Sequence, residues 1–411
     1  MKSFAALIRA EWRLLLFGFV MTFGSSLGQT YFIGLFGGDI RHDLQLSHGE
    51  FGAIYSAATL TSAIALLWTG SLIDRVELKR YTHVVVVGLA AGCLMMASSI
   101  GTLTLFLSVL VLRHTGQGLM GMAGPTTMVR YIDHQKGKAN ALGSVGFSLS
   151  EAILPSVVVM QLALMTWRQS WVAWAIILAI AVPLLTRIAL RGHERRHADY
   201  LDTIDAAKSV DTADKKHNWT REEVVRDPLF YLFMPALLAQ PMLFTGFMFH
   251  QVHLIEVKGW SLAIWGGLYL LYAAVSTIFK LWTGVLVDNY GAIRLAPLVC
   301  VPLGAGMLIL ASSNSLAVAV MFMVLLAVSV GSYSTLSSPF FSEMYGSLHL
   351  GSIKSVTTAA MVFSSAIAPV LMGWLIDRGI SMETMATASA VYVLLASGMA
   401  WWASRLKLRQ H

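Results

Sequence analysis

Three ionisable residues stand inside long apolar runs: Arg113, Glu151 and Lys280. A charge carried into a bilayer costs about 2.5–3.5 kcal/mol on insertion scales, so it faces a cavity or a partner. A cation there binds an anionic substrate or fixes helix packing. For Arg113 the packing role means being locked to backbone carbonyls or to Glu151. A carboxyl there can carry a proton, because desolvation favours its neutral form; a nearby arginine favours the charged form instead. Both roles stay open for Glu151. No acidic residue lies one helical turn from Lys280, where Ser276, Thr277, Thr283 and Gly284 stand. Gln29, Tyr31, Gln117, Tyr272 and Tyr333 are uncharged polar residues in the same kind of run. Such groups line a cavity or bond across helices. His250 and His253 fall near the end of a run and read as surface histidines.

The elements that hold these residues follow from composition. Of 411 residues, 56% are hydrophobic and only 12% charged, with a mean hydropathy of +0.67. Soluble domains carry about 25% charged residues. Runs of about 20 apolar residues suit helices that cross ~30 Å of hydrocarbon. Twelve spans are expected, at 14–37, 48–72, 82–101, 103–130, 138–164, 167–190, 229–255, 260–287, 292–312, 314–345, 350–376 and 382–404. The fold class is an all-α membrane protein, since helices satisfy their own backbone in lipid. The basic N-terminus leads into an apolar run from Leu14 with no small-residue cleavage site, which reads as a first span and not a removed signal peptide.

The polar stretch 191–228 divides the spans six and six. The expected organisation is an N-terminal half, 1–190, a linker, 191–228, and a C-terminal half, 229–411. Short loops after even-numbered spans, with the termini, hold fourteen Lys and Arg; the opposite loops hold four, Arg41, Arg168, Lys258 and Arg378. That bias places both termini and the linker in the cytoplasm. The basic pI near 9.4 is spread through loops, so nucleic acid is not an expected partner. Cys93 and Cys300 both lie in apolar runs, which argues against a disulfide framework or a metal site. No cofactor is expected, no P-loop is present, and no paired catalytic constellation supports an enzyme.

A repeat gives the internal symmetry. Residues 67–74 read LWTGSLID and 281–288 read LWTGVLVD, an offset of 214. The same offset carries Pro125 to Pro339, Tyr131 to Tyr345 and Pro155 to Pro369. Spans two, four and five thus recur as eight, ten and eleven, in the same orientation, related by a pseudo-two-fold axis along the membrane normal. The charges are not repeated: Arg113 maps to Ala327, Glu151 to Ser365 and Lys280 to Leu66.

Gly70-Ser-Leu-Ile-Asp74-Arg75, followed by Lys79 and Arg80, resembles the loop signature of the major facilitator superfamily, and Gly284-Val-Leu-Val-Asp288 is its second copy. Arg113-His-Thr-Gly-Gln-Gly118 is similar to the family's fourth-span motif. The resemblance implies two six-helix halves and transport by alternating access. It also implies a cytoplasmic gate at Gly70, Asp74, Arg75, Gly284 and Asp288, its aspartate set against a helix N-terminus. A narrower likeness is to the monocarboxylate porters and oxalate–formate exchangers, through Phe36-Gly-Gly-Asp39, Pro155 and Lys280-Leu-Trp-Thr-Gly284. It implies a carboxylate held by Lys280. Tyr31 and Ser276 replace the porters' lysine and aspartate, so their proton-coupling scheme does not transfer.

The expectation is a monomeric secondary transporter of the bacterial inner membrane. It takes a small organic anion, with a proton or counter-substrate. Lys280, Arg113, Tyr31, Gln29, Gln117, Tyr272 and Tyr333 are its candidate binding residues, and Glu151 its candidate proton carrier. The alternatives are an exporter of amphipathic compounds and a membrane sensor that does not transport.

Overall fold

In hydrocarbon no water can pair with a bare N–H or C=O, so each apolar run closes its hydrogen bonds as helix. The computed structural model describes residues 2–70, 72–132, 136–194, 197, 219–346 and 350–409. The side chains of Asp74 and Arg75, and most of the expected linker, lie outside the described residues.

Eleven described helices are long and apolar enough to cross a membrane, from His48–Thr69 to Met382–Leu408. The first span is interrupted: Lys2–Gly24, a 3-10 turn Ser25–Gly28, then Thr30–Leu35 and Gly37–Leu44. With it the twelve-span, all-helical fold is complete. Several spans depart from one continuous helix, the fifth at Ser144 and the ninth at Cys300 among them. The first breaks as described. The fourth runs Thr102–Leu112, then a π-helical stretch Arg113–Met120, then Gly121–Tyr131. The seventh ends at Phe249, and a separate helix Gln251–Lys258 follows. Helix starts are marked by side-chain caps. Thr166 and Gln169 form a reciprocal capping box ahead of Trp167–Ala189. Ser381 accepts from the Thr384 N–H at the start of Met382–Leu408.

The chain forms two compact units: Met1–Ile33 with Ala57–Asp214, and Gly34–Ser56 with Lys215–His411. In the first, Phe32 sits edge-on to Trp171 and Trp174, with centroids 5.5 and 5.6 Å away. Spans one and four cross so closely that a Cβ on Gly28 would lie 2.3 Å from the Leu112 carbonyl and 2.9 Å from the Gly116 Cα. In the second unit the tight crossing is between spans eight and ten. A Cβ on Gly331 would lie 2.4 Å from the Ser276 carbonyl and 3.2 Å from the Lys280 nitrogen. Leu67 is 77% exposed and Leu281 72%, both on helix faces suited to lipid.

Two residues assigned to the surface by the sequence are interior. His250 is buried, its Nε2 2.8 Å from the Pro369 carbonyl. Lys258 is buried in an ion pair with Glu383 at 2.7 Å, and it also donates to Asn314 Oδ1 at 3.0 Å and the Ser313 carbonyl at 3.2 Å. A buried ammonium is tolerable because each of its three hydrogens can find an acceptor.

Candidate substrate site

The first unit builds its polar centre from broken backbone. The 3-10 turn of span one releases helical carbonyls, and the π-helical stretch of span four redirects the side chain at its start. Arg113 stands at that start, buried at 3% exposure. Its Nη1 donates to the Gly28 carbonyl at 3.0 Å and to Thr30 Oγ1 at 3.4 Å, and its Nε to Thr59 Oγ1 at 3.2 Å. A guanidinium has five fixed donors and no acceptor, so it suits a place where a helix break exposes oxygen. Arg113 therefore secures spans one, two and four.

One turn further along the same break, the Ser26 and Ser150 hydroxyls are 2.5 Å apart. The buried Tyr31 lies beside both, within electrostatic reach of the half-buried Glu151. So Tyr31, Arg113 and Glu151 share one unit, with the serines as members that the sequence did not single out. Gln29 ends the 3-10 turn, its N–H bonded to the Ser26 carbonyl at 2.9 Å, and its side chain is half-buried. Gln117 belongs to the π-helical stretch, with an exposed side chain.

Lys280, Tyr272 and Tyr333 belong to the second unit. Lys280 sits within the unbroken helix Leu262–Tyr290, half-buried, and its carbonyl accepts from Thr335 Oγ1 at 3.0 Å. Tyr272 is buried, with ring centroids of Tyr269 at 6.0 Å and Phe244 at 6.4 Å. Tyr333 donates to Met361 Sδ at 3.2 Å. The unit also holds a polar knot with no signal in the residue pattern: Gln251 Oε1 accepts from Tyr269 at 2.8 Å and Trp265 at 2.9 Å. An amide in a short helix after an apolar span carries no periodic signal.

Of the expected gate residues, Gly70 is half-buried at the end of span two and Asp288 is exposed at the end of span eight. The loop after Gly70 is fastened by Arg130, which donates to the Ile73 carbonyl at 2.9 Å. Lys79 of the same loop pairs with Glu194 at 2.5 Å, both exposed. At the second copy the Ala292 N–H donates to Glu343 at 2.5 Å, so a glutamate from span ten caps the start of span nine. Gly284 is half-buried, with Thr335 Cγ2 3.8 Å from where its Cβ would be.

Twelve spans, a buried arginine at a helix break and a duplicated loop signature describe a polytopic membrane protein. The sequence model of the Major Facilitator Superfamily matches residues 18–369. The chain belongs to that superfamily, whose members are transporters. Solved structures with the same fold include a bacterial homologue of the human lysosomal transporter Spinster, inward-facing and unoccupied, at 14% identity and TM-score 0.65, covering 97% of this chain and 98% of that one. The nucleoside transporter NupG aligns at 13% identity and TM-score 0.67, covering 97% and 98%. The D-xylose–proton symporter aligns at 13% identity and TM-score 0.68, covering 94% and 96%. No curated protein sequence matches the chain.

Proposed function

We propose that the protein moves a small organic anion, above all a carboxylate, by alternating access across the bacterial inner membrane. Both termini and the 191–228 segment then face the cytoplasm, in line with the loop charge bias. Lys280 supplies the charge that receives the anion, Arg113 holds the first unit in shape around its break, and Glu151 beside Tyr31 carries the coupling proton. The observation that supports this reading best is an ammonium-bearing residue half-buried deep within a membrane helix at its tightest crossing. A group that costly to insert marks function by default.

The test is uptake by proteoliposomes containing the purified protein, with a competition panel of carboxylates. D-xylose and a nucleoside belong in the panel because two structural neighbours are named for them. Carboxylate-dependent uptake that is lost in Lys280→Ala is the expected result. Uptake blocked only by hydrophobic cations would favour the amphipathic exporter, a reading to which the aromatic surroundings of Tyr272 lend some weight. No uptake of any solute, with binding retained, would favour the sensor.

A further inference from the structure

Residues 373–379 read Gly373-Trp-Leu-Ile-Asp377-Arg378-Gly379. That is the Gly-x-x-x-Asp-Arg pattern of Gly70–Arg75, at the far end of span eleven, outside the 214-residue repeat. Its aspartate is set against a helix N-terminus. Asp377 Oδ1 accepts from the His48 N–H at 3.0 Å, and Oδ2 from the Gly49 N–H at 2.8 Å and from Ser47 Oγ at 2.7 Å. These are the first amides of span two, which no helical carbonyl can satisfy and where the helix dipole favours an anion. The glycine plays the matching part: a Cβ on Gly373 would lie 2.3 Å from the His48 carbonyl and 2.9 Å from the Gly49 nitrogen. On the facing helix, a Cβ on Gly52 would lie 2.4 Å from the Pro369 carbonyl.

The contact is wider than one side chain. Span two already has its own local cap, since the Ser47 N–H donates to Glu50 Oε2 at 2.8 Å and the Glu50 N–H to Ser47 Oγ at 3.1 Å. Asp377 is thus a second, long-range fastening added where the local one exists. Around it the His48 ring packs 4.3 Å from His253 and 5.7 Å from His250, and Phe51 stacks on Phe249 at 4.7 Å. Arg41 lies within electrostatic reach of Asp377 and Glu256. All of these residues belong to the second unit, in which Gly34–Ser56 is the one segment drawn from the first six spans.

We propose that Gly373–Gly379 is a third, unpaired copy of the signature and that Asp377 with Gly373 forms a latch fastening the 34–56 segment to span eleven. The same device that the family likeness implies at one end of the spans is used at the other. A plain helix cap would hold only residues 47–51. A latch holds the whole segment, together with the helix Gln251–Lys258 that packs on it.

Hydrogen exchange of the full-length protein in nanodiscs, read by mass spectrometry, separates the two. Asp377→Ala should raise exchange at least about tenfold across peptides from 34–56 and 249–258, and leave spans eight to ten unchanged. Ser47→Ala removes one of the three contacts together with the local acceptor of the Glu50 N–H, and its excess over Glu50→Ala should spread across the same peptides to a smaller degree. Gly373→Leu should act like Asp377→Ala without altering charge. Glu50→Ala is the control for the local cap, and its effect should stop at residues 47–51. If Asp377→Ala raises exchange only there, or equally in every span, or not at all, the latch is refuted. Should Asp377→Ala fail to fold, Asp377→Asn, which keeps the side chain's shape and loses its charge, decides by the same criterion.

Discussion

The two units solve one packing problem in opposite ways. Each brings two spans together at a glycine. In the second unit the crossing helices, Leu262–Tyr290 and Leu316–Tyr345, run unbroken. In the first, span one unwinds at Ser25–Gly28 and span four relaxes into the π-helical stretch Arg113–Met120. Proline is not the cause. Pro125 lies past the irregular stretch of span four, and its repeat partner Pro339 sits inside a continuous helix. What differs is glycine and charge. At the repeat offset, Gly28 corresponds to Met242, Gly116 to Val330 and Arg113 to Ala327. Two glycines let the backbones touch, and the loosened turns present oxygen to a guanidinium. At this crossing the irregular backbone coincides with the unrepeated arginine and supplies its acceptors.

The largest effect expected from this contrast is steric. Gly116→Val makes the first unit copy the second, yet its Cβ would meet the Gly28 backbone at 2.9 Å. Destabilisation at the upper end of the usual 1–3 kcal/mol for overpacking, or about that, should follow. The reverse change, Val330→Gly, should cost only about 1 kcal/mol of helix propensity. Thermal unfolding in detergent compares the two; equal losses would mean that the break is not needed where it stands.

Next comes the pair of cations. Arg113→Gln strands oxygens on Gly28, Thr30 and Thr59, and should lower apo stability by about 1–3 kcal/mol. Lys280→Ala should abolish anion binding, while Lys280→Arg keeps charge in a different shape and retains part of it. Apo melting and anion titration on the same variants sort the two roles. Loss of binding with stable protein in Arg113→Gln would exchange them.

A third test bears on coupling. Glu151→Gln should abolish uptake driven by a pH gradient but spare exchange of labelled for unlabelled substrate. Loss of both would move Glu151 from coupling to binding or folding.

The smallest effect is one of pH, in the second unit. Burial, with Arg41 and His253 nearby, lowers the His250 pKa from 6.5 to about 4, although its bond to the Pro369 carbonyl pulls the other way. Burial also lowers that of His253. The unfolded imidazole takes up a proton that the folded one refuses, so stability present above pH 6.5 is lost as pH falls toward 4. The groups that face this imidazole include His48, His253, Arg41 and Asp377. His250→Gln should flatten the dependence of the melting temperature between pH 7 and 5. An unchanged slope would assign it to other groups.

These contrasts were unequally legible in the sequence. Eleven spans announce themselves by hydropathy, and the repeat by LWTG at a fixed offset, because both depend on local residue type. The break at Ser25–Gly28 did not, since Ser-Ser-Leu-Gly suits a helix in lipid as well as a turn; what decides is Gly116, 88 residues away. Gly116 and Gly118 were visible beside Arg113, but not that they loosen the helix. His250 reads as a surface group and Lys258 as an outer-loop charge because residue type and position say so. Their acceptors, Pro369 and Glu383, are more than a hundred residues distant in the chain. Asp377 was counted only through its neighbour Arg378. A signature is easily overlooked when it lies at the end where it is not expected.

The interrupted first span has a consequence for how the chain is made. Its 3-10 turn leaves the Gly28 carbonyl to be met by Arg113, a residue synthesised 85 positions later. Until the fourth span leaves the ribosome, Ser25–Gly28 has neither the guanidinium nor the glycine that favour its turn. Span one then enters lipid as a continuous helix that satisfies its own backbone, and it unwinds when Arg113 and Gly116 arrive. A nascent chain stalled before Arg113 should show span one inserted and fully helical.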